Sequence, residues 1–169
     1  MVLKAGKSRA FFTVMFTGIF MAAWLAGCQS LGHRDMGKLV PDFHRVAIPP
    51  SGGTSSETFQ TRDMTVQYQC RRAGDQLKVW GSGNIRFESI NELVFHLYFL
   101  DDRGEVISIK NFYSYLDHNN FIELSVANRH FHRDFTIPVG AVAFALGYDG
   151  ETGHTPGEPD ISFSHTPFD

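Results

Sequence analysis

Residues 92–100 read Glu92-Leu93-Val94-Phe95-His96-Leu97-Tyr98-Phe99-Leu100, and this stretch decides the fold. Successive side chains of a strand point to opposite faces, so the run splits into two rows. One row is Leu93, Phe95, Leu97 and Phe99; the other is Val94, His96, Tyr98 and Leu100. Both rows are apolar, which predicts a central strand covered on both sides. Asp101-Asp102-Arg103-Gly104 follows as a hairpin-type turn, with a glycine free to take a positive φ. Residues 106–112 then read as the return strand.

The same pattern extends outward in both directions. Upstream, residues 65–71 alternate and end at the turn Ala73-Gly74-Asp75. Residues 76–80 put Leu77 and Val79 on one face and Lys78 and Trp80 on the other. Gly81-Ser82-Gly83 is expected to break or bulge that strand, with residues 84–88 continuing it. Downstream, residues 121–127, 129–137 and 141–148 read as strands, the last two joined by a turn at Pro138-Val139-Gly140. Helical turns are expected at most at residues 89–91 and 114–119. Seven short strands with turn signals between them predict an all-β fold, a single antiparallel immunoglobulin-like β-sandwich over residues 63–149. The Cys…Trp…Cys framework of antibody domains is absent, so the label is architectural.

The flanks read differently. Residues 28–62 are expected to form a lipidated N-terminus and flexible tether, because Pro49-Pro50-Ser51-Gly52-Gly53-Thr54-Ser55-Ser56 is a cluster of linker residues. A loose chain of that length has a root-mean-square span of about 30 Å. Leu39-Val40-Pro41-Asp42-Phe43, with Val46 and Ile48, is too apolar for a pure linker and is expected to dock on the domain or on a partner. Residues 150–169 form a Gly/Pro-rich C-terminal tail punctuated by Ile161, Phe163 and Phe168, either an ordered arm or a loose end.

The N-terminus carries an address. Lys4, Lys7 and Arg9 precede an apolar run over residues 10–25, followed by Leu25-Ala26-Gly27-Cys28. This resembles a bacterial lipoprotein signal peptide with its lipobox. The competing reading is an uncleaved anchor helix, for which the run is short of the roughly 20 residues a spanning helix needs. The resemblance implies removal of residues 1–27, a diacylglycerol on the Cys28 sulfur and acylation of the freed amino group. Several chains hold far better than one, since each buried CH2 contributes about 0.8 kcal/mol. Gln29 stands where an aspartate would favour retention in the inner membrane. In a diderm organism this implies the outer membrane, facing the periplasm.

Residues 1–27 hold three of the 15 basic residues and none of the 18 acidic ones, so the processed chain has a net charge of −6 with histidine neutral. That argues against nucleic acid as a partner, because phosphates demand Lys and Arg. Only two cysteines are present. With Cys28 taken by lipid, Cys70 has no disulfide partner, and alternation puts it on the face of Val66 and Tyr68 as a small buried hydrophobe rather than a reactive thiol.

The folded part also carries Phe95-His96-Leu97-Tyr98-Phe99-Leu100-Asp101 followed by Gly104-Glu105-Val106-Ile107. This is similar to the strand–turn–strand of bacterial FxLYD-type domains. The resemblance implies a small extracytoplasmic sandwich, often lipid-anchored, and carries no catalytic residues over.

His130-Phe131-His132 is the one metal-like spacing. Both imidazoles fall on one strand face, with Asp134 continuing it and His118 or Asp117 available from the preceding loop. The alternative is a solvent-facing polar row opposite a core row of Phe131, Arg133 and Phe135; Arg133 spoils the core row, so a bulge or strand end is expected there. His96 reads as a hydrogen-bonded histidine before it reads as a ligand. Trp80 and Tyr98 read as core or sheet-cover residues before they read as a pocket lining. Ala141, Ala143, Ala145 and Gly147 form a row of small residues that admits another backbone or a flat ring, or packs under the larger facing row. No nucleophile elbow, phosphate-binding glycine loop or H-E-x-x-H is present. The sequence therefore predicts a non-enzymatic, cofactor-free, lipid-anchored envelope protein whose sandwich is an interaction module for another envelope protein. The alternative is a metal- or small-ligand-binding lipoprotein using His130 and His132.

Overall fold

The apolar run at residues 92–100 lies at the centre of one of two antiparallel sheets. The computed structural model describes residues 34–87, 90–116, 130–153 and 160–168, with the backbone alone at 113–116. The chain divides after Asp35, and Met36–Asp169 forms one compact unit. Nine strands are described: β1 (Val46–Ala47), β2 (Thr54–Gln60), β3 (Met64–Ala73), β4 (Gln76–Ile85), β5 (Ile90–Leu100), β6 (Val106–Leu116), β7 (His130–Thr136), β8 (Ala143–Thr152) and β9 (Ser162–His165). One sheet runs β2-β3-β4-β7 and the other β1-β8-β5-β6, with β9 on the free side of β8 beyond β1. The chain is an all-β antiparallel sandwich.

Each inner face follows the alternation. From β3 come Met64, Val66, Tyr68 and Cys70, from β4 Leu77 and Val79, from β5 Leu93, Phe95, Leu97 and Phe99, and all are buried in one core. An aromatic seam joins the sheets. Phe95 stacks on Phe112 at 5.3 Å, and Phe112 meets Phe131 at 5.5 Å and Phe135 at 5.6 Å. Such offset and edge contacts add to the area that the rings bury.

β5 is covered on its outer side too. Tyr98 and Leu100 join Val40, Val106, Ala143 and Ala145 in a second core. Its roof comes from both ends of the chain. Residues 37–45 form a strap across the end of the sheet, held by Gly37 N–H to the Val106 carbonyl (2.8 Å), Val106 N–H to the Lys38 carbonyl (2.9 Å) and Val40 N–H to the Gly104 carbonyl (3.0 Å). Gly104 sits in the left-handed region at φ +87°, and any side chain there would collide with the Arg45 guanidinium lying over it. From the other terminus, Pro167 is buried and the Phe168 ring meets the Tyr98 ring edge-on at 5.6 Å.

The structure corrects four sequence expectations. The tether does not run to residue 62: residues 54–60 are β2, paired with β3 from Thr54↔Arg71 to Gln60↔Thr65, and the Pro49–Gly53 cluster turns the chain into it. The sandwich does not end at residue 149: β8 continues to Thr152 and β9 pairs with it, so the described part of residues 150–169 is the ordered arm of the two readings. Gly81 and Gly83 do not interrupt β4, whose register with β3 is unbroken. Glycine is needed at 81 because a Cβ would run into the backbone of Gln67 and Tyr68. β7 has no bulge at Arg133; β4 is the only strand paired with it among the described residues, so the guanidinium reaches water past the edge. Six of the seven expected strands are present and β1, β2 and β9 are added. The expected strand at 121–127 lies outside the described residues. So do Ser89 and residues 117–119 of the two expected helical turns. At the remaining positions β5 and β6 are strand.

Candidate functional site

The outer face of β2-β3-β4-β7 collects most of the candidate residues. Register places Ser56, Gln69, Trp80 and His132 in one row across the four strands, and Thr58, Gln67, Ser82 and His130 in the next. Gln67, Gln69, His130 and His132 are exposed, and Trp80 is half-buried among them. Between the β2 and β4 sides lies a shallow hollow of about 400 Å³ bounded by Ser56, Thr58, Gln67, Gln69, Trp80 and Ser82. Amides, hydroxyls and imidazoles beside one large ring suit hydrogen bonding and stacking against a partner surface.

His130 and His132 lie on this face with Asp134, as alternation requires. Asp134 is drawn toward Lys78, with Oδ2 3.0 Å from Nζ, while its Oδ1 is 3.4 Å from His132 Nε2. Among the described residues, no three His, Cys, Asp or Glu side chains converge to hold a metal ion. His118 and Asp117 lie outside the described residues. His96 is on the other sheet's outer side, bridging two strands: Nδ1 is 2.9 Å from Asn111 Oδ1 and Nε2 is 2.8 Å from Asp149 Oδ2. Both ring nitrogens are thereby engaged. Tyr98 belongs to the second core. Cys28 lies outside the described residues.

Cys70 is fully buried, its sulfur 3.0 Å from Ser55 Oγ. Burial pushes the thiol pKa up against the lowering effect of that hydrogen bond. Since the thiolate is the nucleophile, this is an inert position.

A polar cluster escaped the sequence reading. Asp63 is the one buried charged residue among those described, 5% exposed. It accepts a hydrogen bond from the Tyr148 hydroxyl (3.0 Å) and pairs with Arg62 Nε (3.2 Å). Thr61 Oγ1 sits 2.8 Å from the same hydroxyl and accepts from the N–H groups of Asp63 and Met64. Burial first, then the hydrogen bond to Asp63, pushes the Tyr148 phenol up to about 12, with Thr61 opposing. Burial likewise raises Tyr68. The cluster fixes the β2–β3 turn onto β8. Thr61-x-Asp63 ahead of a strand is a turn signal, but nothing near it in sequence points to Tyr148.

The fold and this face define an antiparallel β-sandwich in which, among the described residues, one sheet's outer face is polar and exposed. No family model, curated protein or solved structure matches the chain.

Proposed function

We propose that the chain is a lipid-anchored, non-enzymatic module of the bacterial cell envelope, held through acylated Cys28 at the outer membrane facing the periplasm of a diderm organism. Its sandwich binds another envelope protein through the outer face of β2-β3-β4-β7. The observation that carries this reading is the asymmetry of the two outer faces. The sheet of β5 and β8 is roofed by the strap and the C-terminal arm, while the other keeps a half-buried Trp80 among exposed Gln67, Gln69 and His132. Half-buried tryptophan ringed by polar groups is the composition of interface centres. The lipobox Leu25-Ala26-Gly27-Cys28 and the FxLYD-like stretch support the compartment.

Metabolic labelling with a tagged fatty acid tests the anchor: the wild type takes label and Cys28→Ser does not, and equal labelling of both sinks the lipoprotein reading. A photo-crosslinking residue at Gln69 of the full chain tests the face. It gives a discrete protein adduct in envelopes, while the same residue at Asp102, in the β5–β6 turn, gives none; equal silence at both positions removes the face.

A second reading uses His130 and His132, which share one exposed strand face, as ligands for a metal or small molecule. Two imidazoles supply fewer donors than the three or four a zinc site uses. Calorimetric titration of the protein with zinc or copper(II) is expected to show no affinity tighter than micromolar. Submicromolar stoichiometric binding lost in His130→Ala/His132→Ala promotes this reading to first place.

A further inference from the structure

The strap, with Met36 directly before it, leaves apolar side chains exposed. Met36, Leu39 and Phe43 are 45%, 60% and 77% exposed. Their neighbour Val40 is fully buried, so residues 39 and 40 split cleanly into an outward and an inward side chain. Phe43 stands in a 3-10 turn, Asp42–His44, none of whose residues is buried. Leu39 and Phe43 are four residues apart, so their Cα atoms lie within about 14 Å, and the three exposed side chains fall on one stretch, residues 36–43. The strap is fixed rather than loose. Besides its backbone bonds to β6, Arg45 Nε donates to the Val40 carbonyl at 2.7 Å and Arg45 pairs with Asp42 at 2.7 Å.

Fixing the strap shortens the leash. Only seven residues lie between Cys28 and Met36, eight Cα–Cα steps. Fully extended they reach about 28 Å, and as a flexible coil they average roughly 16 Å. The expected 30 Å tether ran to residue 62, and most of that length is now folded into the domain. Part of the remaining reach is consumed in crossing the headgroup layer, which is about 5–8 Å thick on each side of the hydrocarbon core. The exposed apolar patch is therefore on the segment of the domain nearest in sequence to the acyl chains.

We propose that Met36, Leu39 and Phe43 dock the strap into the bilayer interface beside the lipid on Cys28. This rests on the acylation of Cys28 proposed above. Interfacial amphipathic helices bury their apolar face about 5–10 Å into the headgroup–acyl boundary, and exposed apolar side chains held at that depth have the same driving force. Residues 34–45 carry Arg34, Lys38 and Arg45 against Asp35 and Asp42, a net charge of +1 with His44 neutral. The contact is thus apolar, with little dependence on salt or on anionic lipid. Docking would turn the roofed side of the sandwich to the membrane and leave the Trp80 face to the periplasm.

Tryptophan fluorescence tests this on the full-length protein purified from membranes and reconstituted in protein-free phosphatidylethanolamine/phosphatidylglycerol vesicles, with and without brominated acyl chains. Trp80 is the one tryptophan of the processed chain and reports the far face. Phe43→Trp and Leu39→Trp, each with Trp80→Phe, report the strap. Mass spectrometry first establishes the lipid on Cys28. With lipid present, bromination is expected to quench the strap reporters at least about twofold more than Trp80, at low and high salt alike. Quenching no greater than at Trp80 in an acylated protein overturns the docking and leaves the anchor standing. Quenching abolished by salt overturns the apolar contact. An absent lipid mass overturns the anchor and the docking with it.

Discussion

The two outer faces of this sandwich obey one alternation rule and come to opposite ends. On β3 the outward row is Thr65, Gln67, Gln69 and Arg71, polar throughout, and the sheet faces water. On β5 the outward row is Val94, His96, Tyr98 and Leu100. Val94 and His96 are half-buried, whereas Tyr98 and Leu100 are buried beneath the strap and the C-terminal arm. A sheet's outer face is thus roofed where its outward row is apolar, and the roof stops where a polar residue appears. Burial of apolar area drives the covering. The small floor of Ala143, Ala145 and Gly147 decides how close the roof comes: a Cβ on Gly147 would lie 2.8 Å from the His165 carbonyl oxygen and 3.0 Å from the Tyr98 ring.

Perturbations should separate what the faces share from what distinguishes them. The largest effect belongs to the shared inner core. Leu97→Ala or Phe99→Ala is expected to cost roughly 2–5 kcal/mol in denaturant melts, from lost transfer energy and a residual cavity. Wild-type midpoints in both variants would dissolve the distinction between inner and outer rows of β5.

Alkali comes next. Tyr148 holds its proton to about pH 12 in the folded protein, against about 10 when unfolded. A raised pKa means the contribution is complete below pH 10 and is lost as pH rises toward 12. Each pKa unit corresponds to about 1.4 kcal/mol, which bounds the loss at roughly 2–3 kcal/mol. Tyrosinate absorbance and stability followed together over that window check it, and Tyr148→Phe should make this part of the profile shallower, leaving the slope that Tyr68, also raised by burial, contributes.

Two matched substitutions then compare the faces directly. Gly147→Ala pushes a methyl into the roof and is expected to cost about 1–3 kcal/mol by overpacking. Gln69→Ala on the open face should fall within about ±0.5 kcal/mol. Equal costs at the two positions would mean that the open face is covered as tightly as the other.

Much of this was legible in advance because side-chain periodicity encodes burial. β5 could be read from its two apolar rows, β3 and β4 from their alternation around Gly74, and the β5–β6 turn from Asp101 and Gly104. Asp101 Oδ1 there accepts the N–H groups of Arg103 and Glu105, both at 2.9 Å. What escaped was held by backbone or by distance. Thr54–Gln60 reads as a polar linker because β2 is an edge strand whose pairing with β3 uses main-chain groups and whose side chains, Phe59 apart, need little burial. The residues around β9 offer mainly Phe163 as an anchor, too little for a pattern. Asp63 and Tyr148 are 85 residues apart, so their hydrogen bond has no local signature. Of the candidate sites, the His130–His132 face was legible, while its Trp80-centred hollow needed the register of three strands.

The roof over Tyr98 also sets a clock. Its two halves come from opposite ends of the chain, and they meet where Lys38 Nζ lies 4.8 Å over the Phe168 ring. A polypeptide emerging N-terminus first has its Lys38 strap 130 residues before the Phe168 ring that completes the lid. Until then the alanine–glycine floor and the Tyr98 ring edge stay wet. Contacts of such long sequence separation form late in folding. A chain clipped behind β9 would keep its inner core and lose the lid, exposing a sticky patch that a chaperone or protease can read as unfinished work.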